Sequence, residues 1–527
     1  MTENNPYDQI PYTSYPFAQT HPNRLATLAR LHSLQPTPIT NCRVLEVGCG
    51  DGANLIPMAL MLPNSQFVGF DLAAKPVQQG QQIIADLELT NIKLLQADLM
   101  EFEDEPFDYI ITHGLYAWVP QVVQEGLMAL CERLLTPNGV AYISYNAYPG
   151  CHLREMTREM MLFHIRGNDN PHDRMNQGLS LLKFILSQYP SESKAREDLY
   201  GAIVFEQFDT LARHRHREQV YHDHLAEYYR PAYFYQFAAH AAQHGMQYLA
   251  EATFSDMQDY QFPPSVRELL AQFDDEHIVH REQYLDFLKG RSFRQTLLCR
   301  DDLKVQRAIK AEQIKAFYFS SEIETMSAQP DLSPHVVEAF EGPKGARLQI
   351  DFPLAKAALV ILKESWPRQF DWEELQSAAV ARVMEFQRES VTADELQALT
   401  EIMFAAYGSG VIHLHSHRPE MQLQVTTHPV ANRLARWQAQ HGAVVTNVLH
   451  ASVILENELS QRLLQLMDGT RDHDALRADL TTAMETRLPL KLNEETTIED
   501  RAALQKMITE TLDANLQSCA RLALLVG

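Results

Sequence analysis

The chain has 527 residues, of which 45% are hydrophobic and 21% are charged, and its formal net charge is −23. A chain of this length exceeds what a single hydrophobic core supports, so we expect roughly two to four domains. The acidic balance disfavours a general binder of nucleic acid or of an anionic membrane, because both functions need a basic surface.

Signals for targeting, membrane insertion or metal binding are weak. No run approaches the ~20 apolar residues that a membrane-spanning helix needs, and the start, MTENNPYDQIPY, lacks the basic and apolar regions of a signal peptide. The six cysteines are scattered without a C-x-x-C pair, which is typical of reduced cytosolic thiols. We therefore expect a cytoplasmic protein with no membrane span and no metal site.

The chain begins with a proline-broken aromatic arm, residues 7–22, followed by a predicted helix in RLATLARLHSL. Four aromatic side chains, more than a disordered tail usually carries, stand in this arm: Tyr7, Tyr12, Tyr15 and Phe17. We expect the arm to fold over a ligand, although simple packing is the alternative.

The next stretch, Val44 to Asn54, has the sequence VLEVGCGDGAN and predicts a strand, a glycine turn and the start of a helix. Its three alternate glycines, Gly48, Gly50 and Gly52, permit positive φ and let a ligand lie directly on the backbone. Strand, glycine turn and helix open the nucleotide site of a doubly wound α/β sheet. The third glycine comes too early for a dinucleotide fingerprint, and no Lys-Ser/Thr pair follows as in a P-loop.

Further strands follow at the spacing of such a sheet. The second, Phe67 to Asp71, ends in an acid where ribose hydroxyls are held in Rossmann-type sites. The third, Ile92 to Leu95, leads to Asp98, whose carboxylate can accept an adenine amino group. Phe107 to Ile111 is the fourth strand, and the turn LTPNG leads into the fifth, AYISYN.

These five points, E-x-G-x-G-x-G, the first acid, the second acid, F-D-x-I and L-x-P-N-G, resemble class I S-adenosylmethionine (SAM) methyltransferases in order and spacing. The resemblance implies a Rossmann-like sheet, SAM as the cofactor, S-adenosylhomocysteine as the product and no metal. It also implies a set of cofactor-binding residues, from the arm, the glycine turn and the ends of the next strands: Tyr12, Glu46, Gly48, Cys49, Gly50, Gly52, Asn54, Asp71, Leu72, Asp98, Leu99 and His113.

Residues 151–225 are polar and helical, and a helix, strand, helix and strand follow in residues 226–302. Those last elements are what a class I sheet lacks after its fifth strand. We therefore predict a methyltransferase core with its arm at 1–150, a helical insertion at 151–225 that caps the carboxyl edge of the sheet, and completion of the sheet within 226–320.

Residues 321–350 are rich in proline and polar residues, as in a domain junction. Three helical segments and a strand then favour a winged-helix-like domain at 321–430, followed by a small module at 431–527, so this half is mainly helical. The third helical segment, Thr392 to Tyr407, carries three acids and no basic residue. Because such a helix repels phosphate, we expect this half to bind protein rather than DNA.

A closer resemblance rests on five stretches: PYTSYPFAQTHPNRLATLARL, LEVGCGDGANLIPMA, THGLYAWVP, GVAYISYNAYPGCHLREMTREMM and EQYLDFLKGRSFRQTLLCR. They resemble one bacterial family whose members carry a methyltransferase regulatory domain, and which includes the rickettsial outer-membrane-protein lysine methyltransferases. The resemblance covers roughly the first 300 residues strongly. It implies methylation of protein lysines, and it leaves the target protein open.

Aromatic residues after strands four and five are candidates for an amine pocket, because aromatic rings attract ammonium groups. The catalytic candidates are His113, Tyr116, Trp118, Tyr145 and Tyr148, with Asn146 beside them and with Tyr12 and Tyr15 of the arm closing the pocket. Each of them alone fits an ordinary core position equally well. The Asp/Asn-Pro-Pro-Tyr tetrad of amide methylases is absent, which argues against an amide nitrogen as the acceptor.

Two histidine groups, residues 222–224 and 413–417, have metal-like spacing but no evident acidic or cysteine partner, so we expect a solvated surface there. The predicted partner is a protein substrate that presents a lysine, with no nucleic acid, and a homodimer is a candidate assembly. Two other functions stay open. One is a small-molecule methyltransferase with a regulatory C-terminal half, and the other is a non-catalytic SAM-binding scaffold.

Overall fold

A seven-stranded sheet organises the first 300 residues in this computed structural model, which describes residues 6–10, 12, 14–168, 170–213, 217–387, 390–491 and 497–527. The strands lie in the order β3-β2-β1-β4-β5-β7-β6. β1 to β5 are parallel, and β7 is antiparallel to both β5 and β6. The strand bounds are β1 Arg43–Val47, β2 Gln66–Asp71, β3 Ile92–Gln96, β4 Phe107–Thr112, β5 Leu135–Asn146, β6 Met246–Glu251 and β7 Phe293–Arg300.

Helices cover both faces of this sheet, and β1 is almost wholly buried between them. Val44 packs into one hydrophobic cluster and the adjacent Leu45 into the other, as expected for a central parallel strand. The helices of the arm and core are α1 Pro6–Gln9, α2 Pro22–Leu31, α3 Leu55–Met61, α4 Ala74–Asp86 and α5 Gln121–Leu134. Strand order reverses between β1 and β4, so the carboxyl end of β1 is the topological switch point where ligands bind.

The insertion after β5 consists of helices α6 Cys151–His164, α7 Pro171–Leu186, α8 Glu192–Glu197, α9 Leu199–Arg213 and α10 Arg217–Leu225. It has a small apolar core of its own, which includes Met161, Leu182 and Val204. The chain then returns through α11 Phe234–Gln243, β6, α12 Pro264–Leu270, α13 Ile278–Lys289 and β7.

A buried ionic cluster joins the returning elements. Arg294 on β7 is fully buried and pairs with Glu251 of β6 at 2.6 Å and with Glu282 and Asp286 of α13 at 3.1 and 2.9 Å. Removing one member of such a buried set leaves an uncompensated charge, which typically costs about 3–5 kcal/mol. The cluster therefore fixes α13 against the two strands that complete the sheet.

The C-terminal half contains three long helices, α14 Pro353–Ser365, α15 Trp372–Gln387 and α16 Ala393–Gly408. The polar stretch at 321–350 is not only a linker, because β9 Glu324–Thr325, β10 Glu338–Glu341 and β11 Arg347–Ile350 form a small sheet there. β8 Tyr318–Ser320 pairs with β12 His413–His415. The last elements are α17 Arg433–Gln438, β13 Val444–Thr446, β14 Ser452–Ile454, α18 Glu458–Leu466, α19 His473–Glu485, β15 Leu490–Lys491, β16 Thr497–Ile498 and α20 Arg501–Arg521.

The expectation of a solvated surface at both histidine groups is wrong. His222 and His224 are buried in the insertion. His413, His415 and His417 line a cavity of about 840 Å³ between α2 and the C-terminal modules. Neither group could be placed from its own sequence, because the residues that cover them come from distant parts of the chain. Within the described ranges, no helix is both long enough and apolar enough to cross a membrane.

Candidate active site

The glycine turn after β1 presents its backbone at the switch point of the sheet. Gly48, Gly50 and Gly52 have φ values of +75°, +55° and +75°, in the left-handed region that side chains rarely adopt. The amides of Gly48 and Cys49 both donate to the carbonyl of Phe70 on β2, at 2.9 and 3.1 Å. These hydrogen bonds hold the turn against the sheet, and a site held by the protein's own contacts lowers the entropic cost of binding.

Asp71, at the end of β2, supports this turn. Its Oδ2 accepts the amide proton of Gly50 at 3.0 Å, and its Oδ1 accepts that of Ala73 at 2.8 Å. Burial raises the pKa of this carboxyl, although the same backbone hydrogen bonds lower it. Each carboxylate oxygen has a second lone pair, so Asp71 can hold the turn and accept ribose hydroxyls together.

Glu46 lies buried beneath the turn. Its Oε1 accepts a hydrogen bond from Asn54 Nδ2 at 2.7 Å, whereas its Oε2 has no hydrogen-bond partner among the described residues. Burial, reinforced by the nearby Asp51 and Asp71, raises the pKa of Glu46 to about 8. A buried carboxylate oxygen without a donor is a strong acceptor site, because leaving it unpaired is costly.

Asn54 connects the turn to two distant parts of the chain. Its Oδ1 accepts from the Phe17 amide of the arm at 2.9 Å and is 2.9 Å from His450 Nε2 of the C-terminal module. Its Nδ2 donates to Thr20 as well as to Glu46. The cofactor turn, the arm and the C-terminal module are therefore joined through one buried amide.

The remaining predicted cofactor residues are placed unequally. Leu72 and Asp98 are exposed at the ends of β2 and β3, and Leu99 is buried beside them. Cys49 is buried against Gly69 of β2, so only its backbone faces the turn. His113 lies after β4 with its Nδ1 3.0 Å from both Tyr142 and Ser144, and burial lowers its pKa to about 4.

The aromatic arm lies over the turn, as the sequence predicts. A Cβ added at Gly50 would lie 3.2 Å from Ser14 Oγ, so the arm passes close above this glycine. The Phe17 ring packs 4.0 Å from the ring of His113. Asp8 accepts from the Lys75 amide at 2.8 Å, which fixes the start of the arm beside the end of β2.

On the side predicted to hold the methyl acceptor, the arm meets the helical insertion. The Tyr7 ring stacks on His222 at 4.2 Å with an interplanar angle of 6°. The hydroxyl of Tyr12 hydrogen-bonds the Asp223 carboxylate, and burial together with this acid raises the pKa of Tyr12. The insertion therefore contacts the arm through residues 222–223, and its capping of the carboxyl edge of the sheet stays a prediction.

Two groups of aromatic residues flank this contact. Trp118 lies 4.8 Å from the ring of Tyr229, and the Arg154 guanidinium lies over both rings at 5.4 and 5.3 Å. Tyr148 stacks on His152 at 4.1 Å, and its hydroxyl donates to Glu155 at 2.7 Å. Aromatic faces attract cations, and the faces of Trp118 and Tyr229 hold the Arg154 guanidinium in this way.

Tyr116 and Tyr145 do not join this group. Both are buried in the core, where Tyr145 stacks on Phe237 at 4.2 Å and Tyr116 packs against the same ring at 5.1 Å. The Tyr116 hydroxyl is 2.8 Å from His240 Nδ1 on α11. Their positions fit core packing, the alternative that the sequence left open for each aromatic residue.

Four residues of the site were not predicted from the sequence: Arg154, Asp223, Tyr229 and His450. Asp223 stands between two histidines with metal-like spacing, but this group was interpreted as a solvated surface, so the tyrosine partner of Asp223 was not predicted. Arg154 and Tyr229 stand in helical, charge-rich segments that resemble any solvated surface. His450 reaches Asn54 across 396 positions of sequence, which no local pattern reveals.

The site fits SAM in its shape and its donor set. The glycine turn leaves room for a ligand on the backbone. Asp71 provides a carboxylate at the end of β2, the position that holds ribose hydroxyls in Rossmann-type sites. Glu46 Oε2 has no donor among the described residues. SAM would carry a sulfonium and an ammonium group into this acidic environment, and it supplies the reactive methyl group.

Three family models match the chain: a methyltransferase domain at residues 39–180, a predicted methyltransferase regulatory domain at 216–300, and a PKMT C-terminal winged helix domain at 428–524. The sequence had placed a winged-helix-like domain at 321–430, and the division of the chain into five domains stays a prediction. The match to the winged-helix family model, residues 428–524, lies almost wholly within the predicted C-terminal module at 431–527.

Relatives and solved structures agree with these matches. An uncharacterized protein of Rickettsia prowazekii is 32% identical over 535 residues, covering 100% of this chain and 94% of its own. A second uncharacterized protein of that organism is 34% identical and covers 44% of this chain and 91% of its own length. The structure of PKMT2 from Rickettsia typhi in complex with AdoHcy has a TM-score of 0.86 at 27% identity, covering 98% of this chain and 100% of that one.

The predicted fold class is confirmed by the mixed seven-stranded sheet and by these matches. The cofactor prediction, SAM, is confirmed at the level of the family. The resemblance found in the sequence is confirmed as well: the chain belongs to the bacterial family of class I SAM-dependent methyltransferases that carry a methyltransferase regulatory domain.

Proposed function

We propose that this methyltransferase transfers the methyl group of SAM to the side-chain amine of a lysine in a protein substrate. The observation that carries the proposal is the aromatic and acidic wall on the acceptor side. The ring faces of Trp118 and Tyr229 already hold one cation, the Arg154 guanidinium. The Tyr12–Asp223 pair adds a carboxylate, and Arg154 also contacts the Asp223 carbonyl. A lysine side chain is long enough to reach such a wall from the surface of another protein.

The acidic balance of the chain supports a cationic acceptor. The formal net charge is −23. Burial raises the pKa of Tyr7 in the arm, and the nearby carboxylates of Asp223 and Asp71 raise it further. A cleft lined by one sign of charge concentrates ligands of the opposite sign. Both a protonated lysine and SAM, with its sulfonium, are attracted to such a cleft.

Methyl transfer requires the lysine to lose its proton, because only the neutral amine has a free electron pair. Burial and a neighbouring positive charge both lower a lysine pKa. The contribution of this chain is to orient the amine between rings and to exclude water with the arm and the insertion. His113, whose pKa burial lowers to about 4, is neutral near pH 7 and adds no competing charge.

The comparisons support a protein lysine as the acceptor, but they do not identify the target protein. PKMT abbreviates protein lysine methyltransferase, and PKMT2 of Rickettsia typhi shares 27% of its residues with this chain over nearly the whole length. We propose that this chain likewise forms and binds S-adenosylhomocysteine, the product left after methyl transfer, and that the transfer uses no metal. A cytoplasmic location and a homodimer are parts of the same proposal.

We propose further that the C-terminal half holds protein rather than DNA. Several arginines in the region matched by the winged-helix model are already paired with acids. Arg471 contacts Asp468 at 2.8 Å and Asp479 at 2.7 Å, and Arg477 contacts Asp474 at 2.5 Å. Phosphate binding depends on free lysines and arginines, so this surface is poorly suited to a nucleic-acid backbone.

The test is methyl transfer from labelled SAM in a native lysate, followed by mass spectrometry of the labelled residue. Full-length protein is compared with Asp71→Ala, which removes the ribose acceptor and a support of the turn. We expect label on lysine that the variant does not deposit. Label confined to a metabolite would instead support a small-molecule enzyme, and SAM binding with no transfer to any acceptor would support a scaffold.

A further inference from the structure

Three side chains on two neighbouring helices form a cluster outside the methyl-transfer site. His240 and His244 stand one helical turn apart at the end of α11, and Glu125 faces them from α5. Glu125 Oε2 lies 3.0 Å from His240 Nε2 and 3.4 Å from His244 Nε2. All three ligand-type atoms lie within 4.8 Å of one another. The two histidines are partly buried, whereas the Glu125 side chain is 47% exposed.

We propose that this cluster is a binding site for a divalent first-row transition metal ion, with zinc as the best fit. Zinc binds imidazole nitrogen at about 2.0–2.1 Å and carboxylate oxygen at about 2.0–2.2 Å. Ligand atoms around one tetrahedral ion at those distances stand roughly 3.4 Å apart. The two measured separations from Glu125 Oε2 therefore need little adjustment.

The far nitrogen of each ring is already held, which is an independent observation. His240 Nδ1 lies 2.8 Å from the Tyr116 hydroxyl, and His244 Nδ1 lies 3.2 Å from Glu132 Oε2. Metal-binding histidines in proteins almost always have such a partner, because it fixes the ring and its tautomer. Both rings can therefore direct Nε2 towards the same point.

The chemistry of the three ligands limits which metal ions can bind. Two imidazoles and one carboxylate suit zinc, cobalt, nickel or copper, whereas calcium and magnesium prefer sets of oxygen ligands. Three protein ligands leave a coordination position for water. The site is separate from methyl transfer, which needs no metal, and none of the three ligands touches the glycine turn or the Tyr12–Asp223 pair.

The position of the site gives it a structural consequence. Glu125 belongs to the segment matched by the methyltransferase domain, residues 39–180, and both histidines belong to the regulatory-domain segment, residues 216–300. A bound ion would connect these two segments across α5 and α11. An ion that binds only the folded protein also stabilises it by mass action, so metal should raise the unfolding temperature of the full chain.

The experiment uses full-length protein treated with a chelator and then titrated with Zn²⁺ by calorimetry, and with Co²⁺ by visible absorption. We expect one equivalent to bind, a Co²⁺ spectrum with nitrogen and oxygen ligands, and a rise of several degrees in unfolding temperature. His244→Ala and Glu125→Gln should each weaken binding at least about tenfold, and Glu132→Gln should weaken it about tenfold by freeing the His244 ring.

The matched control is the double variant His277→Ala/His280→Ala, which removes two exposed histidines beside Asp274 on another surface. It should bind Zn²⁺ as the unmodified protein does. His244→Ala leaves the Tyr116–His240 contact intact, so it separates metal loss from damage to the core. Equal Zn²⁺ affinity in the unmodified protein and in folded His244→Ala would overturn the proposal and leave these groups as surface ion pairs.

Discussion

The cofactor side and the acceptor side of the site are built from the chain in different ways. The cofactor side comes mainly from one stretch, Glu46 to Leu99, in which the functional groups lie at or just after the carboxyl ends of parallel strands. The acceptor side combines the arm, the segment after β4, α6 and α10. The first is specified by local pattern, whereas the second exists only after the insertion has folded onto the sheet.

The strongest test of the cofactor side is Gly50→Val. Gly50 has a φ of +55°, and an added Cβ would lie 3.2 Å from Ser14 Oγ. A β-branched residue there is strained by roughly 1–3 kcal/mol and covers the backbone on which the ligand lies. We expect SAM affinity to fall at least about 100-fold in calorimetry, a loss of roughly 2.7 kcal/mol.

Gly167→Val is its control, because Gly167 has a φ of +79° with no atom within 4 Å of an added Cβ. Gly167 lies in the insertion, so Gly167→Val introduces the backbone strain of a side chain at positive φ without crowding the glycine turn. An equal loss of SAM affinity in both variants would mean that strain alone, and not the turn, explains the effect.

Asn54→Ala tests whether the two sides are joined. The substitution leaves Glu46 Oε1, the Phe17 amide and His450 without their common partner. We expect a loss on the order of 2–3 kcal/mol in the free energy of unfolding in urea, and about tenfold weaker SAM binding. Asn91→Ala is the control, since the Asn91 amide is also buried and donates to three backbone carbonyls.

Asn91→Ala should lose stability while SAM binding, measured well below the unfolding transition, stays within about twofold. If both asparagine variants weaken SAM binding equally, the effect follows from general stability, and the buried amide does not link the arm to the turn.

Tyr12→Phe decides to which side the arm belongs. The resemblance assigns Tyr12 to the cofactor, but its hydroxyl hydrogen-bonds Asp223 of the insertion. We expect turnover with lysate proteins to fall about fivefold, roughly the worth of one hydrogen bond, while SAM affinity is nearly unchanged. Tyr189→Phe removes a similar tyrosine–aspartate contact, that of Tyr189 with Asp198, from an exposed part of the insertion, and it should leave both quantities unchanged. Weaker SAM binding with normal turnover would return Tyr12 to the cofactor side.

The same contrast explains what could be predicted from the sequence. The strands, the glycine turn and Asp71 follow from periodicity and from glycines at fixed spacing, which are local properties. The completion of the sheet by two later strands, β7 beside β5 and β6 beside β7, followed from what a class I sheet lacks after its fifth strand. Tyr116 and Tyr145 were predicted for the pocket because they lie near the carboxyl ends of β4 and β5. That position does not show whether a side chain points to the pocket or into the core. Asp223 and His450 depend on contacts between distant segments, which no local pattern encodes.

The smallest predicted effect concerns Glu46, whose pKa burial raises to about 8. In the ligand-free protein this carboxyl is therefore protonated at pH 7, and the group costs folding stability as the pH rises from its ordinary pKa towards 8. A cationic ligand favours the ionised form, so SAM binding should release a proton. Affinity should then rise a few-fold between about pH 6 and 8 and level off above.

Calorimetry in buffers of different ionisation enthalpy measures the released proton. Glu46→Gln should abolish this slope, whereas Glu338→Gln, at another buried carboxyl with an unpartnered Oε2, should keep it. A slope that persists in Glu46→Gln would assign the proton to another group.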